Sequence, residues 1–293
     1  MFEWLGVSPQ ALLGQMTLGL VNGSFYALMS LGLAVIFGML NVINFAHGAQ
    51  YMMGAFVAWM LLHYAGIPFW GALVLVPLIV GATGLVIEKL LLSRLHGIDH
   101  LYGLLLTFGL ALIIEGVFRH YYQVSGLPYL NPMPGFVDLG YMKLPMYRGF
   151  AAVFSILVCL ATWFAIERTK LGSYLRAATE RPELVQAFGI NVPLMVSLTY
   201  AFGVALAALA GVLHAPIDSV NPLMGSSLII VVFAVVVIGG MGSIMGSIIT
   251  GFSLGMIEGL TKVFYSPASN VVVFVIMALV LLVRPQGLFG SEK

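Results

Sequence analysis

The sequence predicts an all-α polytopic membrane protein with about eight to ten transmembrane helices, some broken or re-entrant, and two observations carry this. Of the 293 residues 61% are hydrophobic and only 8% are charged, with a mean hydropathy of +1.06. That leaves too little polar surface to cover a soluble globule of this length. The apolar residues also gather into runs close to the roughly 20 residues that a helix needs to cross the hydrocarbon. These runs cover 11–39, 43–65, 69–92, 101–122, 149–167, 194–214, 226–241, 243–263 and 270–284, which predicts about nine crossings in a single transmembrane domain spanning 1–293.

The first run has no basic residue and no cleavage-site pattern before it, so it reads as a span kept in the mature protein. It is long enough to be broken at Asn22-Gly23-Ser24, which makes Asn22 a candidate for a polar position inside the membrane. Between the first two runs lies Asn41-Val42-Ile43-Asn44-Phe45-Ala46-His47-Gly48, polar and helix-breaking, with no Lys or Arg beside it. One reading is backbone unwound at membrane depth, tolerated only inside protein or beside a watery cavity, with Asn41, Asn44, His47 and Gly48 along a solute pathway. The other is a tight turn with Asn44 as helix cap and His47 in the first turn. Glu88-Lys89 reads as the end of the third span. Glu115 with Arg119, and Glu258 with Lys262, are spaced i,i+4 with the acid first, the favourable order for an ion pair on one helix face. Cys159, the only cysteine, excludes an intramolecular disulfide.

Glu167 to Asn191 is a charged island and must lie in water. Within it, Arg181-Pro182-Glu183-Leu184-Val185-Gln186-Ala187-Phe188-Gly189 predicts a short helix, with Pro182 at the position whose N–H has no partner and Gly189 as the left-handed terminator. Leu184, Val185 and Phe188 form its apolar face, which either docks a soluble partner or lies on lipid headgroups. The seventh run is short enough to be re-entrant. In the eighth, Gly239, Ser243, Ser247, Gly251, Gly255 and Gly259 recur every fourth residue, and Gly242 and Gly246 add a second small pair. Such spacing lets helix backbones approach, because little hydrophobic force acts between helices in lipid. Gly203, Ala207 and Gly211 repeat the device in the sixth run, so these two helices are expected to cross tightly or to meet another chain. No internal repeat between the halves is visible in the sequence.

Lys89, Arg94, Arg168, Lys170, Arg176, Arg181, Arg284 and Lys293 belong on the cytoplasmic side by the positive-inside rule. The Pro-, Gly- and Tyr-rich loop 123–148 then lies outside, as does the N-terminus, while the C-terminus is cytoplasmic. There is no G-x-x-x-x-G-K-[ST], no zinc-type His/Cys spacing and no G-x-S-x-G elbow, so nucleotide hydrolysis and hydrolase chemistry find no support in this chain. Scattered basic residues and a net charge of +1 leave no nucleic-acid footprint.

Ile43-Asn44-Phe45-Ala46-His47-Gly48 resembles the hallmark of the H-type permease subunit of the high-affinity branched-chain amino acid ABC importers, and the resemblance runs along nearly the whole chain. Gly19 to Leu28, Ile87-Glu88, Leu106 to Leu110, Leu171-Gly172 to Arg176-Ala177 with Ala187 to Asn191, Gly239 to Gly246 and Arg284 to Gly290 are similar to further family segments. Arg94-Leu95-His96-Gly97 departs from the Pro-Leu-Arg-Gly of many relatives. The resemblance implies a bacterial inner-membrane importer in which this chain pairs with an M-type permease, two cytoplasmic ATPases that bind ATP-Mg and a periplasmic binding protein. It implies no cofactor in this chain and no metal, and that the segment at about 168–193, with Arg176, Pro182, Glu183, Leu184, Val185, Phe188 and Gly189, couples to the ATPase. Branched-chain amino acids are the expected cargo, with urea, short amides and aromatic or other small carboxylates as alternatives. From another class, a stand-alone secondary transporter or channel would use Glu115, Glu258 or His47 for protons.

Overall fold

The computed structural model describes residues 8–40, 43–95 and 99–290. Asn41, Val42, His96, Gly97 and Lys293 lie outside the described residues, as do the expectations placed on them. The chain forms α1 (Pro9–Leu40), α2 (Ala46–Ala65), α3 (Phe69–Leu90), α4 (His100–Tyr122), a hairpin of β1 (Phe136–Asp138) and β2 (Lys143–Pro145), and α5 (Met146–Glu167). There follow α6 (Lys170–Glu180), α7 (Pro182–Ala187), α8 (Val192–His214), α9 (Met224–Gly239), α10 (Ile244–Phe264) and α11 (Ser269–Val283). The β strands pair antiparallel with Val137 opposite Leu144, in a loop the sequence reading left without structure.

The nine apolar runs become nine long helices, though of two kinds. Among the described residues seven are long and apolar enough to cross a membrane. The other two, α2 and α9, are largely buried inside the bundle; α9 has 16 residues, the re-entrant length the seventh run suggested. Two expectations fail here. The first run does not break at Asn22: α1 is continuous for 32 residues, since Gly23 and Ser24 are buried within it and Ser24 bonds back to the Val21 carbonyl. And Glu115 forms no ion pair with Arg119 among the described residues, whereas Lys262 does reach Glu258 at 2.6 Å.

The glycine stripe of α10 is taken up by α1, not by α8. A Cβ on Gly251 would come within 2.6 Å of the Ala27 Cα, one on Gly255 within 2.5 Å of the Gly19 carbonyl, and one on Gly259 within 3.0 Å of the Gly19 Cα. The small residues of α8 serve two other helices, with Gly203 against Gly32 of α1 and Gly211 against Tyr51 and Ala55 of α2. Sequence spacing identifies a face that must approach a neighbour; it does not say which neighbour.

An internal symmetry absent from the sequence is plain in the packing. α1 lies along α10 as α8 lies along α3; α2 packs on α8 as α9 packs on α1; α2 also meets α3 and α4, and α9 meets α10 and α11. Exchanging α1–α4 for α8–α11 leaves that pattern unchanged. The two sets run in opposite directions: α1 starts beside the β hairpin, where Thr17 bonds Tyr141 at 2.8 Å, while α8 starts after the charged helices α6 and α7.

Because Gly255 faces backbone, Gly255→Leu is expected to lower the yield of folded protein far more than Phe252→Leu, at a cost above the roughly 1–3 kcal/mol of overpacking where a neighbour can yield. Size-exclusion chromatography in detergent reads this, and equal behaviour of the two variants would mean that the stripe is not packed.

Candidate functional site

The break between α1 and α2 lies deep in the bundle. Thr107, the residue that tethers it, is two turns into α4: its hydroxyl donates to the Ile43 carbonyl and accepts from the Phe45 N–H, both at 3.2 Å. Tyr200, its second anchor, lies at a similar distance along α8, about 12 Å from the helix start at 1.5 Å per residue. Backbone groups that leave the helical ladder here are thus met by a side chain.

Asn44, Gln50 and Tyr200 form a buried trio. Asn44 donates through Nδ2 to the Tyr200 hydroxyl at 3.1 Å and to Gln50 Oε1 at 3.3 Å, and Gln50 Nε2 donates to the same hydroxyl at 3.1 Å. Asn44 is therefore not the helix cap: Phe45 holds that position, and no side chain caps α2. His47, fully buried, places Nε2 at 3.0 Å from the Met29 carbonyl of α1, with its ring against Gly32. Asn44 Oδ1 and His47 Nδ1 have no hydrogen-bond partner among the described residues. Gly48 touches the first turn of α9: a Cβ there would stand 2.5 Å from the Gly225 carbonyl. Asn22, by contrast, sits in the regular part of α1 and takes no part in this cluster.

The sequence missed Gln50, Thr107 and Tyr200. Only the three-dimensional path shows that Asn44 and Tyr200, 156 positions apart, share a hydrogen bond. Glu88 is a further surprise. It lies in the last turn of α3, as the sequence suggests, but it is buried and accepts from the Ser197 hydroxyl of α8, much as the mostly buried Glu258 accepts from the Tyr26 hydroxyl at 2.7 Å.

At the opposite end from the β hairpin, α6 and α7 form the charged island. Pro182 opens α7, Glu183 lies in its first turn where the helix dipole favours an acid, and Gly189 ends it with φ of +83°. The apolar face is divided. Val185 is 8% exposed and packs with Met39, Ala178 and Val192, while Leu184 is 50% and Phe188 84% exposed. Arg176 of α6 pairs with Glu167 at 3.4 Å and borders a cavity of about 630 Å³ between α6, the end of α1 and the C-terminal segment. That segment closes on the α9–α10 turn: Leu288 N–H donates to the Ile238 carbonyl and Phe289 N–H to Gly239. Gly240 and Gly287, both with positive φ, pack backbone to backbone there, while Gly242 meets Gly38 and Gly246 meets Gly239. The two C-terminal signatures of the sequence are thus two sides of one contact.

Tyr200→Phe removes the hydroxyl that accepts from both amides and is expected to destabilise the protein by about 1–3 kcal/mol, the cost of buried donors left short of an acceptor. A lower melting temperature in detergent is the expected result. An unchanged one would show that the trio does not hold α2 to α8.

Residues 15–283 match the family described as the branched-chain amino acid transport system permease component. BraD of Pseudomonas aeruginosa PAO1, a high-affinity branched-chain amino acid transport system permease protein, is 31% identical, with 96% of each chain covered. LivH of Escherichia coli K12, of the same description, is also 31% identical with 96% of each chain covered. LivM of that strain, a separately named permease protein of such a system, is 26% identical over 92% of this chain and 68% of its own. No solved structure matches the chain. With nearly the full length matched and its helices long and apolar enough to cross a bilayer many times, this chain is a multi-pass membrane protein that belongs to the branched-chain amino acid transport permease family.

Proposed function

We propose that the chain is the H-type permease subunit of a bacterial ABC importer, forming half of a translocation path for branched-chain amino acids. Its partners in this reading are an M-type permease, two cytoplasmic ATPases and a periplasmic binding protein, and ATP-Mg is bound and hydrolysed in the ATPases alone. The basic end, with Arg94, Arg168, Lys170, Arg176 and Arg181, faces the cytoplasm by the positive-inside rule, which also puts the C-terminus there. The observation that carries the reading is α7. It is a short helix terminated by Gly189 and anchored to the bundle through Val185, with Leu184 and Phe188 left exposed. Exposed apolar side chains on a rigidly terminated helix fit a groove in a soluble partner better than they fit solvent.

Transport then needs little chemistry in this subunit. Closure of the ATPase dimer pushes α7, the push passes through Val185 to the end of α1 at Met39, and α1 carries the other end of the His47 contact through Met29.

Phe188→Asp should leave the permease inserted, since that side chain contributes nothing to the bundle, yet reduce copurified ATPase and ATP-driven leucine uptake in reconstituted vesicles by about ten-fold or more, the loss of one exposed anchor worth at least 1.4 kcal/mol. Uptake and ATPase association at the level of the parent protein would remove α7 as the docking element.

A further inference from the structure

We propose that Asn221–Ser227, the turn that leads into α9, is a second gate element of the path, the inverted counterpart of Ile43–Gly48, and that the two turns open alternately. The proposal rests on the permease reading above and adds a segment that the sequence did not single out.

Three independent features relate the two turns. Each leads into one of the two helices that are largely buried in the bundle, and neither α2 nor α9 takes a side-chain hydrogen bond at its cap residue. Each has Asn followed four positions later by Gly, Asn44 with Gly48 and Asn221 with Gly225. And the glycines meet reciprocally: a Cβ on either would strike the carbonyl oxygen of the other. Gly32 and Gly203, on the preceding helices α1 and α8, do the same at 2.7 and 2.8 Å. Two reciprocal backbone contacts, within helix sets that run in opposite directions with one pattern of neighbours, define an approximate two-fold axis through the bundle, with the two turns on either side of it.

The turns nonetheless differ in state. Asn44, His47 and Gly48 are sealed, and two of their polar atoms are without partners among the described residues, so hydration favours a conformation in which this turn opens. Leu223, Ser226 and Ser227 of the other turn are exposed, with the serine hydroxyls folded back onto the Leu223 and Met224 carbonyls at 3.0 and 3.1 Å. Asn221 Oδ1 accepts from the Leu223 N–H at 3.0 Å, so the turn is locally closed, and in this proposal its exposed serines face the water-filled path. One turn open and its counterpart shut is the arrangement that alternating access requires of a single subunit.

The test uses the full complex in vesicles, in a Cys159→Ser background, with a membrane-impermeant thiol reagent applied from the side opposite the basic end. Ser226→Cys is expected to react without nucleotide and at least about ten-fold more slowly when the complex is trapped with a non-hydrolysable nucleotide, while His47→Cys, probed from the basic end, changes in the opposite sense. Should His47→Cys fail to assemble, Ser226→Cys and Ser227→Cys decide the matter alone. ATP-driven uptake by the Cys159→Ser parent reports on the permease reading by itself. Uptake intact with labelling at position 226 absent, or equal in both states, overturns the paired gates and leaves that reading standing.

Discussion

A backbone amide that leaves its helix inside a bilayer finds no water to bond to, and this single constraint organises the centre of the molecule. Around the start of α2 the chain is held by protein groups: Ile43 and Phe45 by Thr107, Asn44 by Tyr200 and Gln50, His47 by the Met29 carbonyl. These ties reach α4, α8 and α1 in turn, so the break also fixes where three spanning helices stand. A polar break and the surrounding frame cannot be separated, because each is the other's hydrogen-bond partner.

Between the spanning helices the force is different. Lipid supplies no hydrophobic drive, and close contact has to come from backbones brought together by small residues. α1 and α8 are the pillars: α1 receives the stripe of α10 and the break of α2, and α8 receives α3 and the body of α2. The inverted arrangement follows from these pairings and gives a reason for the two helices that are largely buried in the bundle. α2 and α9 occupy the same place in their respective halves, where each has its first turn against the other's.

Much of this was legible in the chain. Apolar runs of spanning length fixed the helices, the Pro182 to Gly189 grammar fixed α7 and its terminator, and the i,i+4 order of Glu258 and Lys262 forecast their ion pair. What the sequence could not show was pairing. A glycine at every fourth residue announces a close approach without naming the helix approached: α8 and a second chain are both open to α10 in the sequence, and its partner is α1. The same holds for Leu184, Val185 and Phe188, adjacent on a helical wheel, of which only Val185 turns inward. The repeat stayed hidden because it is carried by backbone contacts and helix direction, for which Gly32 with Gly203 and Gly48 with Gly225 are almost the only shared letters.

The distance along the chain between Asn44 and Tyr200 has a consequence for biosynthesis. At about 5–20 residues per second, α8 leaves the ribosome on the order of ten seconds after α2, and until then Asn44 and Gln50 lack their tie to Tyr200. A segment that starts with these residues cannot settle in hydrocarbon alone. It must wait in the aqueous shelter of the insertion machinery, or against α1, until the second half of the chain arrives to receive it.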